Sequence, residues 1–161
     1  MNRRILIWSL LILPMAAAVD SSRAAAAANE DIAIVAHPSV PVQDLNMAEI
    51  RKIFMGDRQY WSPNLRITLL VRAPVARERD IVLKTIYQMS EAQFRQYWIG
   101  KVFRAESASG PKIVYSSGTA TELVSGIPGC ITFMLASEVP KTLKTVKVNG
   151  LLPGEKGYPL R

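Results

Sequence analysis

Asn46-Met-Ala-Glu-Ile-Arg-Lys-Ile-Phe-Met-Gly-Asp-Arg-Gln-Tyr-Trp61 is the stretch that decides how the chain is read. Asn46 offers a side-chain cap, and Glu49, three residues on, can reach back to the Asn46 amide, the reciprocal pattern of a capping box. Met47, Ile50, Ile53 and Phe54 recur at helical spacing and form one apolar stripe. Gly56 ends the helix, because glycine takes positive φ without a Cβ clash. Asp57 to Asn64 reads as a polar turn closing on Ser62-Pro63-Asn64. A short helix with one apolar face needs a sheet to cover, and the flanking sequence supplies strands.

Before it, Ile32 to Ala36 is an apolar run closed by His37-Pro38-Ser39, which reads as a buried strand. After it, Leu65 to Val71 reads as a second strand ending at Arg72. Pro74 suits the first turn of a following helix. Along that helix Val75, Val82, Ile86 and Met89 form the inward stripe, with Arg79, Asp80 and Lys84 on the outward side. Ser90 and Gln93 repeat the capping-box spacing, and Phe94, Tyr97, Trp98 and Val102 form the apolar face of the helix they open. Lys112 to Tyr115 is a short strand. Ser116 to Thr119 turns into another helix, with Thr119 and Glu122 spaced as its capping box. Cys130 to Leu135 is a clear strand, Leu143 to Val148 alternates as an edge strand does, and Gly150 to Arg161 is an extended tail. Strands alternating with helices, without internal repeats, specify an α/β fold: a mixed, mostly parallel sheet flanked by helices.

The N-terminus reads as a leader. Arg3 and Arg4 form a basic start, Ile5 to Val19 is an almost unbroken apolar run, and the small-residue tract Ala24 to Ala28 follows. This is the pattern of a secretory signal peptide over residues 1–28, cleaved near Ala26 or Ala28, and it implies a periplasmic protein whose single domain covers 29–161. The whole chain carries a formal net charge of +7. Removing the leader leaves 17 basic and 12 acidic residues, scattered along the chain. Scattered charge on an exported protein argues against nucleic acid as partner and leaves anionic ligands open. Cys130 and His37 are each the single residue of their type. That excludes an intramolecular disulfide, a Cys/His metal cluster and a His-dependent triad of ordinary form. No P-loop, catalytic carboxylate pair or activated Ser or Cys signature is present, so neither an enzyme nor a cofactor is expected.

Taken together, several features resemble the substrate-binding proteins of phosphate ABC transporters, which have the type II periplasmic binding protein fold. These are Ala48-Glu-Ile-Arg-Lys-Ile-Phe-Met-Gly56 followed by Trp61, the strand ending in Arg72, Ile127-Pro-Gly-Cys-Ile-Thr-Phe133, and Gly157-Tyr-Pro-Leu160. The match runs from about Ile32 to Leu160 and covers one lobe of that two-lobed family, which implies a stand-alone single-lobe member. In the family, the arginine ending the second strand precedes a Ser-Gly-Thr turn at a helix N-terminus, and together they hold phosphate. The physical logic is a fixed cation beside unpaired helix-end donors. Arg72 matches that arginine. Ala73-Pro-Val-Ala-Arg-Glu78 departs from the turn: the hydroxyls are gone, Glu78 opposes an anion and Arg77 offers a second cation. Ser116, Ser117, Gly118 and Thr119 contain the Ser-Gly-Thr sequence before a different helix and form a separate candidate anion nest.

Two functions follow. The first is an exported solute-binding protein for phosphate or another small anion, beside or within an ABC transporter. The second is a periplasmic protein-interaction or sensor-accessory domain that kept the scaffold and lost the ligand loop. One lobe offers two to four charge-assisted hydrogen bonds of roughly 1.5–3 kcal/mol each. After association costs, that allows a Kd of about micromolar to millimolar. Tighter capture needs a second chain facing the first as a homodimer, or a periplasmic or membrane protein partner.

Overall fold

A computed structural model describes residues 30–161; the expected leader, residues 1–28, lies outside them. The opening helix forms as its sequence specifies. It is α1, Met47–Phe54, and Asn46 and Glu49 make both hydrogen bonds of the capping box. Ile50, Ile53 and Phe54 are buried. Gly56 has φ +71°. The carbonyl of Met55 at the helix end accepts hydrogen bonds from the Tyr97 hydroxyl and the Lys101 ammonium, both 2.8 Å. A cation there satisfies an orphan carbonyl and opposes the negative end of the helix dipole. Burial works against the Lys101 charge, but hydrogen bonds to Asp57 and Tyr97 more than offset it and hold the ammonium pKa above its ordinary value.

The sheet has six strands. In chain order they are β1 (Ile32–Ala36), β2 (Asp44–Leu45), β5 (Thr68–Arg72), β6 (Lys112–Val114), β7 (Cys130–Leu135) and β8 (Lys144–Val148), lying side by side as β2-β8-β1-β7-β5-β6. Pairs β2/β8, β5/β6 and β5/β7 are parallel; β1 is antiparallel to β7 and β8. A separate hairpin, β3 (Tyr60–Ser62) with β4 (Leu65–Arg66), stands between α1 and β5. The expected single strand Leu65–Val71 is therefore two, because Ile67 donates its amide to Gln59 and not to the sheet. The expected polar turn before it contains β3. The expected edge strand β8 is covered by β2.

Helices lie on both faces. One face packs α1, the helical stretch from α2 (Arg77–Val82) into a π-helix (Leu83–Tyr87), and α3 (Glu91–Phe103) against Ile32, Ile34, Val71, Ile131 and Phe133. The other packs α4 (Ser117–Gly126) through Ala120 and Val124 onto Ala33, Leu70, Val114 and Met134. Cys130 is buried there, as its apolar surroundings require, and burial pushes its thiol pKa up to about 12. The last residues do not extend away. The Tyr158 hydroxyl donates to the Ile32 carbonyl (2.7 Å), the Ile32 amide donates to Leu160 (2.8 Å), and both Tyr158 and Leu160 are buried.

Two elements of the resemblance meet in space. The Trp61 indole N–H donates to the Gly129 carbonyl at 2.9 Å. Gly129 has φ +77°, and a Cβ there would lie 2.2 Å from the Arg66 carbonyl oxygen, so only glycine fits. The Pro128-Gly129 turn thus fixes the hairpin against the start of β7.

The helix after β5 differs from its expected form. Pro74 and Val75 lie in a turn ahead of it, and Ala76 takes the N-cap position without a side-chain hydrogen bond. Val75 is 94% exposed instead of inward-facing. Arg79, expected on the solvent side, is 1% exposed. Glu91 grips its guanidinium at 2.9 and 3.0 Å, the Arg72 carbonyl accepts a further bond, and the Phe94 ring lies 4.7 Å beneath it. A buried arginine is tolerable only with its donors and its flat face matched in this way. On α3, the Ser90–Gln93 capping box is present and Phe94 and Trp98 are buried, but Val102 is 40% exposed and does not join the core.

Candidate functional site

In the parallel strands β5 and β6, Arg72 pairs in register with Val114, and the Ala73 amide donates to the Val114 carbonyl. The chain leaves β5 at Arg72 and leaves β6 two residues before Ser116. Both therefore exit at the same edge of the sheet, the carboxyl ends of the strands, where open α/β sheets present ligand-binding groups. Val114 belongs to the core beneath α4. A residue registered with it leaves the strand on the same face, but the Arg72 guanidinium turns over the strand end to Glu78 of α2.

The N-terminus of α4 is organised by Ser116, not by the expected Thr119–Glu122 box. Ser116 is the N-cap, and its hydroxyl accepts from the Thr119 amide at 3.0 Å and lies 2.9 Å from the Thr119 hydroxyl. Thr119 is already inside the first turn. By helix geometry the Ser117 and Gly118 amides have no intrahelical acceptor. The Ser117 hydroxyl donates to Glu138, which follows β7 at the same edge. No side chain occupies the space at Gly118 closer than the Ser116 hydroxyl, 3.8 Å from where a Cβ would sit.

Arg72 is held, not free. Its Nε donates to Glu78 at 2.6 Å, and the two side chains are only 9% and 6% exposed. Glu78 stands six residues on, in the first turn of α2, where a carboxylate also favours the helix dipole. One guanidinium nitrogen, Nη1 of Arg72, is buried with no hydrogen-bond partner among the described residues. Arg77 lies on the surface at the same edge, and its guanidinium reaches Glu30 at 3.1 Å across an exposed pair. Exposed pairs of this kind are weak and readily exchanged.

The sequence-derived residues Arg72, Arg77, Ser116, Ser117, Gly118 and Thr119 are thus gathered at one edge by β5, β6 and the two helices that follow them. Sequence reasoning set Glu78 against an anion but missed that it pairs with Arg72, and it missed Glu30 and Glu138, which bond Arg77 and Ser117. Glu78 had a visible signal, its position in the first turn of the helix that follows the Arg72 strand end; Glu30 and Glu138 come from other elements and had none. His37 and Ser39 sit at the opposite edge, where the Ser39 hydroxyl lies 2.7 Å from His37 Nδ1 and bonds the turn that closes β1. Among the described residues no group of three or more His, Cys, Asp or Glu could hold a metal ion, and no helix is long and apolar enough to cross a membrane.

This architecture, a mixed sheet with helices on both faces, is that of a lobe of the type II periplasmic binding protein fold. Solved structures it matches include proteins described as phosphate ABC transporter substrate-binding proteins and phosphate receptors. One from Clostridium perfringens, with bound phosphate, superimposes with a TM-score of 0.62 at 23% identity, covering 76% of this chain and 46% of that one. An ABC-type phosphate transport receptor from Vibrio cholerae gives 0.61 at 17% identity, covering 76% and 48%. PstS from Borrelia burgdorferi gives 0.58 at 16% identity, covering 76% and 49%. The chain therefore spans about half the length of the proteins it matches. No family model matches the sequence.

Proposed function

We propose that the chain is an exported, non-enzymatic solute-binding lobe that takes a small phosphate-like oxyanion at the carboxyl edge of β5 and β6. The observation that carries this reading is the buried, unpartnered Nη1 of Arg72. A guanidinium nitrogen left without an acceptor is costly in a folded protein unless a ligand or water completes it. Glu78 takes Nε and fixes the plane of the group; Nη1 is left without an acceptor but is itself covered, so an oxyanion reaches it only if the side chains over it move aside. The Ser117 and Gly118 amides at the start of α4 and the exchangeable Arg77 supply further donors. The leader over residues 1–28 and the likeness to phosphate-binding structures support export and an oxyanion of this class.

Because Glu78 cancels the charge of Arg72, the site binds weakly by itself, within the micromolar to millimolar range that one lobe allows. Calorimetric titration with phosphate, sulfate and a carboxylate tests the reading. Heat that saturates with an oxyanion and disappears in Arg72→Ala supports it; no heat with any of them overturns it.

A second reading has its own observation. Val75 and Tyr115, 94% and 80% exposed, leave the sheet at the same edge as Arg72. Apolar side chains around a charge-neutralised site suit a periplasmic protein-interaction or sensor-accessory role, with a homodimer or a membrane protein covering the edge. If oxyanions give no heat and Val75→Ser/Tyr115→Ser abolishes a self-association measurable by sedimentation, the interaction role replaces the solute-binding one. A monomer at high concentration excludes the homodimer.

A further inference from the structure

We propose a second ligand site at the opposite edge of the sheet: a cleft that takes a small organic anion, an acidic head group on a flat apolar body. The cleft has a volume of about 330 Å³, at the lower end of the range for small-molecule pockets. Thr68 and Leu69 at the start of β5 and Lys112 at the start of β6 line it. Arg72 ends the same strand four residues on, about 13 Å away at ordinary strand rise. The cleft is therefore separate from the oxyanion edge.

Its electrostatics favour an anion. Arg58, Arg66 and Lys112 all line it, and no Asp or Glu does. Arg66 and Lys112 are exposed and take part in no ion pair among the described residues. The nearby acids are already committed, Asp57 to Lys101 and Glu106 to Arg104. Two unpaired cations converging with a third on one concave surface focus a positive potential into it.

The walls favour an apolar, planar body. Ile53, Leu69 and the Trp98 indole bound the cleft. Trp98 can lie there because residue 56 is glycine: a Cβ on Gly56 would stand 2.8 Å from its ring. The third side is the loop Ser107 to Gly110, anchored where the Gln59 side-chain amide donates to the Glu106 carbonyl at 2.9 Å. An aromatic wall beside fixed cations suits an aromatic carboxylate or phosphate ester better than a bare oxyanion, which leaves the apolar wall wet.

The test is an amide and indole NMR titration of the isotope-labelled protein with 1-naphthyl phosphate, and separately with 1-naphthoate and inorganic phosphate. Saturable shifts of the Trp98 indole N–H and the Gly110 amide with either naphthyl anion, absent with inorganic phosphate, are expected. Arg66→Glu/Lys112→Glu should weaken the apparent affinity at least about tenfold, the loss of one to two charge-assisted contacts. Both residues are exposed, so the melting temperature should stay near the parent's. The proposal is overturned by naphthyl anions that leave Trp98 unshifted, by affinity unchanged in the double variant, or by competition from inorganic phosphate, which would place the ligand at Arg72.

Discussion

Replacing Glu78 by alanine strips Arg72 Nε of its acceptor among the described residues. The pair is 2.6 Å long and more than nine-tenths buried on both sides. Its loss leaves a guanidinium charge in the interior, with Nε joining Nη1 in having no acceptor among the described residues. Breaking one side of a buried pair costs about 3–5 kcal/mol, mostly the penalty on the stranded charge. For a domain of this size that lowers the melting temperature by about 10 °C or more. The oxyanion reading adds a second consequence: phosphate or sulfate can replace the missing carboxylate. At a concentration of about 100 Kd, an anion that binds only the folded state returns about 2.7 kcal/mol, most of the loss. Thermal denaturation of Glu78→Ala with and without sulfate, beside Arg72→Ala/Glu78→Ala, reads both effects. The single variant should be strongly destabilised and rescued by sulfate, and the double variant less destabilised and unresponsive. A single variant within about 0.5 kcal/mol of the parent, or equal rescue of both variants, refutes the reasoning.

Three further outcomes follow from the geometry. Gly129→Ala should cost at least about 3 kcal/mol in urea denaturation, since it combines positive φ with a clash against the Arg66 backbone. Tyr87→Phe should be neutral or stabilising by about 1 kcal/mol, because the buried Tyr87 hydroxyl has no partner and its ring contacts with Phe54 and Phe94 survive. Cys130, with its pKa pushed up by burial from 9.0 to about 12, should resist thiol reagents at pH 8 until the protein unfolds. In alkali the unfolded thiol ionises first, so the stability held by the neutral buried thiol is complete below about pH 9 and is lost as pH rises towards 12; urea midpoints across pH 8–11 of the parent and Cys130→Ala should diverge in that direction.

Much of the scaffold was legible because its signals are local. Asn46 with Glu49, and Ser90 with Gln93, each declare a helix start within four residues, and both boxes form. The apolar runs Ile32–Ala36 and Cys130–Leu135 become adjacent central strands, buried along almost their whole length. What failed depends on distant partners. Arg79 reads as a solvent-facing residue until Glu91 and Phe94, from another helix, enclose it. Val75 drops out of the inward stripe because the helix begins only at Arg77, after the turn that holds Val75, while Val82 and Ile86 stay buried. The two-residue β2 is too short to leave a pattern. At the site, the strand end placed Arg72 and the Ser-Gly sequence placed the helix start. The cap was misassigned because Ser116–Thr119 and Thr119–Glu122 have the same spacing, and only packing selects the first. The opening stretch proved to be a structural element on both sides: α1 covers the sheet, and Gly56 makes room for the Trp98 wall of the distal cleft.

The central claim is that the unpartnered side of Arg72 is completed by an oxyanion. Isothermal titration of the parent protein with phosphate, at ionic strength low enough to limit screening, measures it directly. A saturable isotherm with a Kd in the micromolar to millimolar range, lost in Arg72→Ala and retained in Arg66→Glu/Lys112→Glu, is the predicted result. A flat isotherm, or binding that survives Arg72→Ala, contradicts it.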